Sequence, residues 1–199
     1  MSDINYWKSE WEAVTSTDEL FDMPNPQSGE SSTNSNKRPN WVDVYRGYPK
    51  NNSETDDLPA ELVFKEILGE NYDKSTFTNA CATRVSLGLL DGGMDVKREF
   101  NIQKGKFKGK GFIASAKNLQ VWLSKTTVWN SPDEFIKGPS TLSDVQNRIN
   151  GRNGVYTIIG GFGGGVTGHA TLWVGSKKDV IGGHNYVDYG GDIYFWELK

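Results

Sequence analysis

Cys81 is the chain's only cysteine, and His169 and His184 are its only histidines. A thiol and an imidazole together make the nucleophile and general base of covalent amide hydrolysis. Cys81 follows the cap-type residues Thr78 and Asn79, and Ala82, Val85 and Leu89 recur after it at helical spacing. This predicts a helix that begins at or just before the cysteine. A thiol there faces unpaired backbone N–H groups and the positive end of the helix dipole. Both favour thiolate, so the sequence predicts a thiol pKa below the ordinary value of about 8.5. The same N–H groups are candidates for holding a developing oxyanion. The competing reading is a small buried cysteine that fills a core gap.

His169 lies in the run Gly168-His169-Ala170-Thr171-Leu172-Trp173, which has strand chemistry and glycines on both sides. Cysteine opening a helix, then histidine on a later strand, is the order of papain-like hydrolases. The histidine then needs an orienting acceptor. A reversal near Val174-Gly175 brings residues 179 and 180 back opposite His169, which selects Asp179. A longer hairpin brings back His184, Asn185 or Asp188 instead, and Val174-Gly175 is a poorer tight-turn pair than Asn-Gly. His184 reads as a surface loop residue. Arg84 and Ser86 read as groove-facing residues or caps on neighbouring backbone.

The elements around these residues follow from pattern. Trp41, Val42 and Tyr45 suggest a short helix ended by Gly47 and Pro49. Residues 58–69 read as a helix with proline early and glycine at its end. An amphipathic helix runs from about Ile113 to Lys125, with Leu119, Trp122 and Leu123 inward. Another spans Leu142 to Asn150, with Ser140 or Thr141 as cap and Gly151 beyond. Strands follow at residues 155–159, 169–174, 179–181 and 193–198. The glycine run at 160–165 lacks the Gly-Lys-Ser/Thr ending of a phosphate loop and is expected to let backbone pass close to the cysteine helix. Lys104, Lys106, Lys108 and Lys110 alternate, which predicts one basic face on an extended segment. That face is either solvated or attractive to an anionic polymer. Helices first and antiparallel strands last make an α+β domain.

Composition bounds the function. The 199 residues are 36% hydrophobic and include seven Trp, eight Tyr and nine Phe, enough for one domain with a real core. The net charge of −3 argues against a nucleic-acid partner. A single cysteine excludes an internal disulfide and a cysteine-based zinc site. No apolar run of membrane-spanning length occurs, and the N-terminus lacks the basic-then-apolar pattern of a general secretory signal. Residues 1–38 carry three basic and seven acidic residues. They read as a flexible or loosely packed extension: Trp7, Trp11 and Val14 at helical spacing, a second turn near Asp18, then a polar linker from Pro24 to Asn36. Residues 39–199 form the chemical domain. The extension either packs its tryptophans on that domain or docks to a delivery apparatus or chaperone.

Three stretches carry a resemblance to a known family. Asn79-Ala80-Cys81-Ala82-Thr83-Arg84-Val85-Ser86, Gly168-His169-Ala170-Thr171-Leu172-Trp173 and Phe195-Trp196-Glu197-Leu198 stand in the order and spacing of family 4 of the type VI secretion amidase effectors. Lys37-Arg38-Pro39 and Lys110-Gly111-Phe112, with Ala116 and Leu119, resemble that family's start and middle. The likeness covers about residues 38 to 199. It implies a papain-like, NlpC-type fold and a toxin that cuts peptidoglycan, with Cys81 as nucleophile, His169 as base and an aspartate near position 179. It also implies the γ-D-glutamyl–diaminopimelate amide as the bond cut through an acyl-thioester, no metal or cofactor, and an immunity protein in the producer. Such a toxin is made in the cytoplasm without a general secretory signal and acts in the periplasm of target bacteria. Two other classes remain open on sequence: a deamidase or transglutaminase acting on target-cell proteins, and a non-catalytic binding or immunity-type module with a structural cysteine.

Overall fold

The computed structural model describes residues 37–199. The expectations for Trp7, Trp11, Val14, the turn near Asp18 and the linker lie outside the described residues. Within them the chain forms helices α1 (Trp41–Gly47), α2 (Ala60–Leu68) and α3 (Cys81–Asp91), a small ribbon of β1 (Phe100–Asn101) and β2 (Gly111–Phe112), and helix α4 (Ala116–Leu123). Then come β3 (Glu134–Ile136), α5 (Leu142–Ile149), β4 (Gly154–Ile159), β5 (Gly168–Val174), β6 (Asp179–Val180) and β7 (Asp192–Glu197). The main sheet has the order β3-β7-β4-β5-β6, and every neighbouring pair is antiparallel.

Local chemistry sets the helix ends. The Asn40 side chain accepts from the N–H of Val42 at the start of α1, and Ser115 accepts from Asn118 at the start of α4. Thr141 and Asp144 form a reciprocal capping box on α5. Gly69 ends α2 with φ +103°, a conformation that suits glycine.

Two apolar layers sandwich the sheet. Val155, Ala170, Leu172, Val174 and Trp196 face α3 and α4, whereas Tyr156, Ile158, Trp173, Ile193 and Phe195 face Val145 and Ile149 of α5. This is the period-2 alternation of strands buried on both faces. Trp122, Trp173 and Trp196 are core residues. Helix α3 is buried from Cys81 to Leu90, so solvent meets it on no side. Truncating a fully buried Leu89 to alanine would cost about 2–5 kcal/mol. Gly88 lets α1 cross α3 closely: a Cβ there would lie 2.8 Å from the carbonyl oxygen of Val44.

Four sequence expectations are corrected. The lysine-rich segment is not extended: residues 104–109 turn, with Gly105 and Gly109 at positive φ, and Lys106 and Lys110 pair with Asp91 and Asp95. Helix α4 begins three residues late because the Ile113 N–H is held by Ser86 Oγ and Ser115 takes the cap. Three short strands precede the C-terminal sheet elements, so helices and strands are not cleanly separated. Of the glycine run, Gly161 lies against the chain at residues 189–191, and a Cβ on Gly160, Gly163, Gly164 or Gly165 would meet open space rather than α3. A Cβ on Gly161 would meet the carbonyl of Tyr189 at 2.1 Å.

Candidate active site

Cys81 is the first residue of α3 and only 3% exposed. The Asn79 side chain caps this end from one position earlier than a regular cap, its Oδ1 accepting from the Cys81 N–H at 2.9 Å. That N–H is therefore occupied, while the N–H groups of Ala82 and Ala170 point at the Cys81 sulfur. Ala170 follows His169 on β5, so the packing of α3 on β5 brings the cysteine to the strand position beside the histidine.

Charge in this pocket is expensive. Burial pushes the Cys81 thiol up, against the smaller opposing pull of the Ala170 and Ala82 N–H groups and the Arg84 charge. The lowered thiol pKa read from sequence is thus corrected: desolvation outweighs the helix terminus. Burial also pushes His169 down to about 4, and the positive charges of Arg84 and His184 add to that. Both shifts favour the neutral forms of the thiol and the imidazole. Among the described residues, His169 Nε2 is buried without a hydrogen-bond partner.

A buried polar network, not expected as a unit from the sequence, lines the edge of β5. Arg84 Nη1 lies 3.2 Å from Asp57 Oδ2, and Arg84 Nε donates to the Leu58 carbonyl at 2.9 Å. Tyr48 donates to Asp57 Oδ1 at 2.8 Å and shares a hydrogen bond with Thr171 Oγ1. Burial raises the Asp57 carboxyl although Arg84 pulls it down. The only sequence signal was Arg84 on the helical repeat of Cys81; its expected capping of neighbouring backbone is what the structure shows. Ser86 also caps backbone, at Ile113.

The hairpin register differs from expectation. Val174 pairs with Asp179 and Trp173 with Val180, after which β6 ends in a 3-10 turn. Asp179 is therefore not opposite His169, and no hydrogen bond joins the two among the described residues. Asp179 Oδ1 instead accepts from the Val180 N–H and from Asn185 Nδ2, at 2.8 and 2.9 Å. His184 is an exposed loop residue, and Asp188 is exposed on the 3-10 turn Val187–Tyr189. Sequence reading also passed over Tyr186, whose ring meets His169 edge to face with centroids 4.9 Å apart.

Among the described residues no group of three or more His, Cys, Asp and Glu is arranged to hold a metal. No helix there is long and apolar enough to cross a membrane. A cavity of about 1020 Å³, lined in part by Arg38, Trp122, Trp129 and Asp133, includes neither Cys81 nor His169.

Residues 77–196, which hold both α3 and β5, match the family model of type VI secretion system amidase effector protein 4, Tae4. The chain belongs to this family. It is an amidase effector of the type VI secretion system, a toxin class directed at the peptidoglycan of other bacteria. Its fold is the papain-like, NlpC-type α+β fold, as expected. The effector of the Tae4–Tai4 complex from Salmonella Typhimurium is 21% identical, with a TM-score of 0.60 over 82% of this chain and 100% of that one. Its counterpart from the Enterobacter cloacae Tae4–Tai4 complex is 23% identical, with a TM-score of 0.59 over 82% and 100%. Tae4 of Enterobacter cloacae alone is 24% identical, with a TM-score of 0.59 over 83% and 99%. No curated protein matches the chain.

Proposed function

We propose that this Tae4-family chain hydrolyses an amide of the peptidoglycan stem peptide with Cys81 as nucleophile and His169 as general base. The γ-D-glutamyl–diaminopimelate bond is the one cut. The observation that carries the reading is a lone cysteine opening a buried helix, with its sulfur against the backbone N–H of the residue after the histidine.

In the acylation step His169 takes the thiol proton as the sulfur attacks the carbonyl carbon. The N–H groups of Ala82 and Ala170, which face the sulfur, supply positive potential where negative charge develops. His169 then gives its proton to the leaving amine, and a thioester remains. Water, deprotonated by the same imidazole, attacks the thioester and releases the free carboxylate and thiol. Asp179 is the carboxylate assigned to positioning His169. Its hold on Asn185, the residue before Tyr186, supports that role.

In this reading residues 39–199 are the amidase domain and residues 1–38 are an extension separable from the chemistry. The protein travels by the type VI apparatus to the periplasm of target bacteria and is neutralised in its producer by an immunity protein. The related effectors crystallised with Tai4 support such a partner.

Digestion of purified peptidoglycan, with fragments identified by mass, tests the reaction. The expected products are stem fragments ending in D-glutamate and fragments with a newly free diaminopimelate amine. Cys81→Ala should release neither. Wild-type release by that variant, or ammonia release from protein glutamine with intact cell wall, would overturn the assignment.

A further inference from the structure

Tyr186 is the hub of a ring cluster around His169. Its ring lies 4.9 Å from that of His169 at 71°, 6.1 Å from His184 at 23°, 5.5 Å from Phe162 at 66° and 5.2 Å from Tyr189 at 89°. Its backbone is left-handed, φ +55° and ψ +23°, which is strained for an aromatic residue and persists only when its surroundings fix it. Those surroundings centre on Asn185. The Asn185 amide donates to Asp179 Oδ1 at 2.9 Å, its Oδ1 accepts from the Val187 N–H at 3.1 Å, and its carbonyl accepts from the Tyr156 hydroxyl at 2.9 Å. Residue 185 is thereby tied to β6, to β4 and to the following turn, and the next residue presents its ring to the imidazole.

We propose that Tyr186 is a positioning residue for His169, held in place by Asn185 and, through it, by Asp179. The catalytic reading of His169 is assumed here. The imidazole has no hydrogen-bonded carboxylate among the described residues, so packing must fix its plane. Edge-to-face contact with an aromatic ring does that, because the quadrupoles of the two rings favour inclined planes. The same ring covers one side of the imidazole and keeps it from water. The relay Asp179–Asn185–Tyr186–His169 lets a carboxylate that pairs with Val174, well along β5 from His169, still govern the base.

Because the chain has two histidines, their imidazole signals can be followed separately by NMR in the full-length protein. The groups that bear on His169 are Arg84 and His184, with Cys81 and Tyr186 beside them. Burial now holds His169 at about 4. Tyr186→Ala should raise that midpoint by a pH unit or more, and Tyr186→Phe should restore the wild-type value. Asn185→Ala should shift it in the same direction by less. Repeating Tyr186→Ala with His184→Ala separates loss of ring cover from a change in the His184 charge. In hydrolysis Tyr186→Ala should lower kcat about tenfold with little change in KM. If Tyr186→Ala does not fold, Tyr186→Gly, which removes the ring and suits the left-handed backbone, takes its place and should show the same shift. An unmoved His169 midpoint in the alanine or glycine variant, or equal shifts for phenylalanine and alanine, would overturn the proposal. The titration needs no substrate, so it fails or succeeds independently of the assigned reaction.

Discussion

Arg84 and Asp57 form an ion pair, 3.2 Å between Nη1 and Oδ2, with side chains only 8% and 15% exposed. The pair underlies the cysteine end of α3 and fixes the loop before α2 to it through Leu58. Removing one member strands the other charge in a poorly solvated place. Asp57→Ala should therefore destabilise the fold by about 3–5 kcal/mol, read as a lower urea midpoint. Replacing both, Asp57→Leu with Arg84→Met, should recover much of the loss. A single variant as stable as wild type would show that the pair is not what holds this loop.

Burial of the thiol sets its reactivity. With Cys81 pushed up rather than down, iodoacetamide alkylation should be slow at neutral pH, and its rate should rise with an inflection above the ordinary thiol value. Mass spectrometry of quenched samples across pH gives the profile. An inflection in the acidic or neutral range would mean that the thiolate–imidazolium pair, not the neutral pair, is the resting state.

The buried histidine also links stability to pH. His169 titrates at about 4 when folded and near its ordinary 6.5 when unfolded. Between those values the unfolded chain binds more protons, so stability falls as pH drops from 6.5 towards 4. The loss attributable to His169 approaches about 3 kcal/mol at the acid end of that window. Chemical denaturation at pH 7, 5.5 and 4.5 should show this decline, and His169→Asn, which cannot protonate, should lessen it. An equal decline in the variant would place the acid sensitivity elsewhere.

Asp179 and Asp188 are separated by kinetics on a muropeptide. Asp179 holds Asn185, whereas Asp188 is exposed. Asp179→Ala should lower kcat by roughly ten- to a hundredfold, with KM changed far less, because a misplaced base slows chemistry without loosening substrate. Asp188→Ala should stay within a few-fold of wild type. The reverse ranking would sink the positioning role given to Asp179.

The extension is tested by deletion. A chain starting at residue 37 should hydrolyse peptidoglycan at close to the full-length rate, and its loss of folding would place Trp7 or Trp11 in the core.

By itself the sequence determined the cysteine and the helix it opens, the histidine strand, the C-terminal strands and the inward face of Trp122. Those features are local: apolar periods of 3.6 and 2, capping residues and glycine stops are written in adjacent residues. The motifs around Cys81 and His169 also carried the family. Only the tertiary structure decided what surrounds them. The Val174–Asp179 register could not be read because a one-residue change in a short turn moves every cross-strand partner. Asp57 and Tyr48 looked like ordinary loop and helix-end residues until folding set them against Arg84 and Thr171. The thiol's direction of shift reversed for the same reason. A helix terminus is legible in sequence, but desolvation depends on every element packed above it, and here α3 is buried along its length.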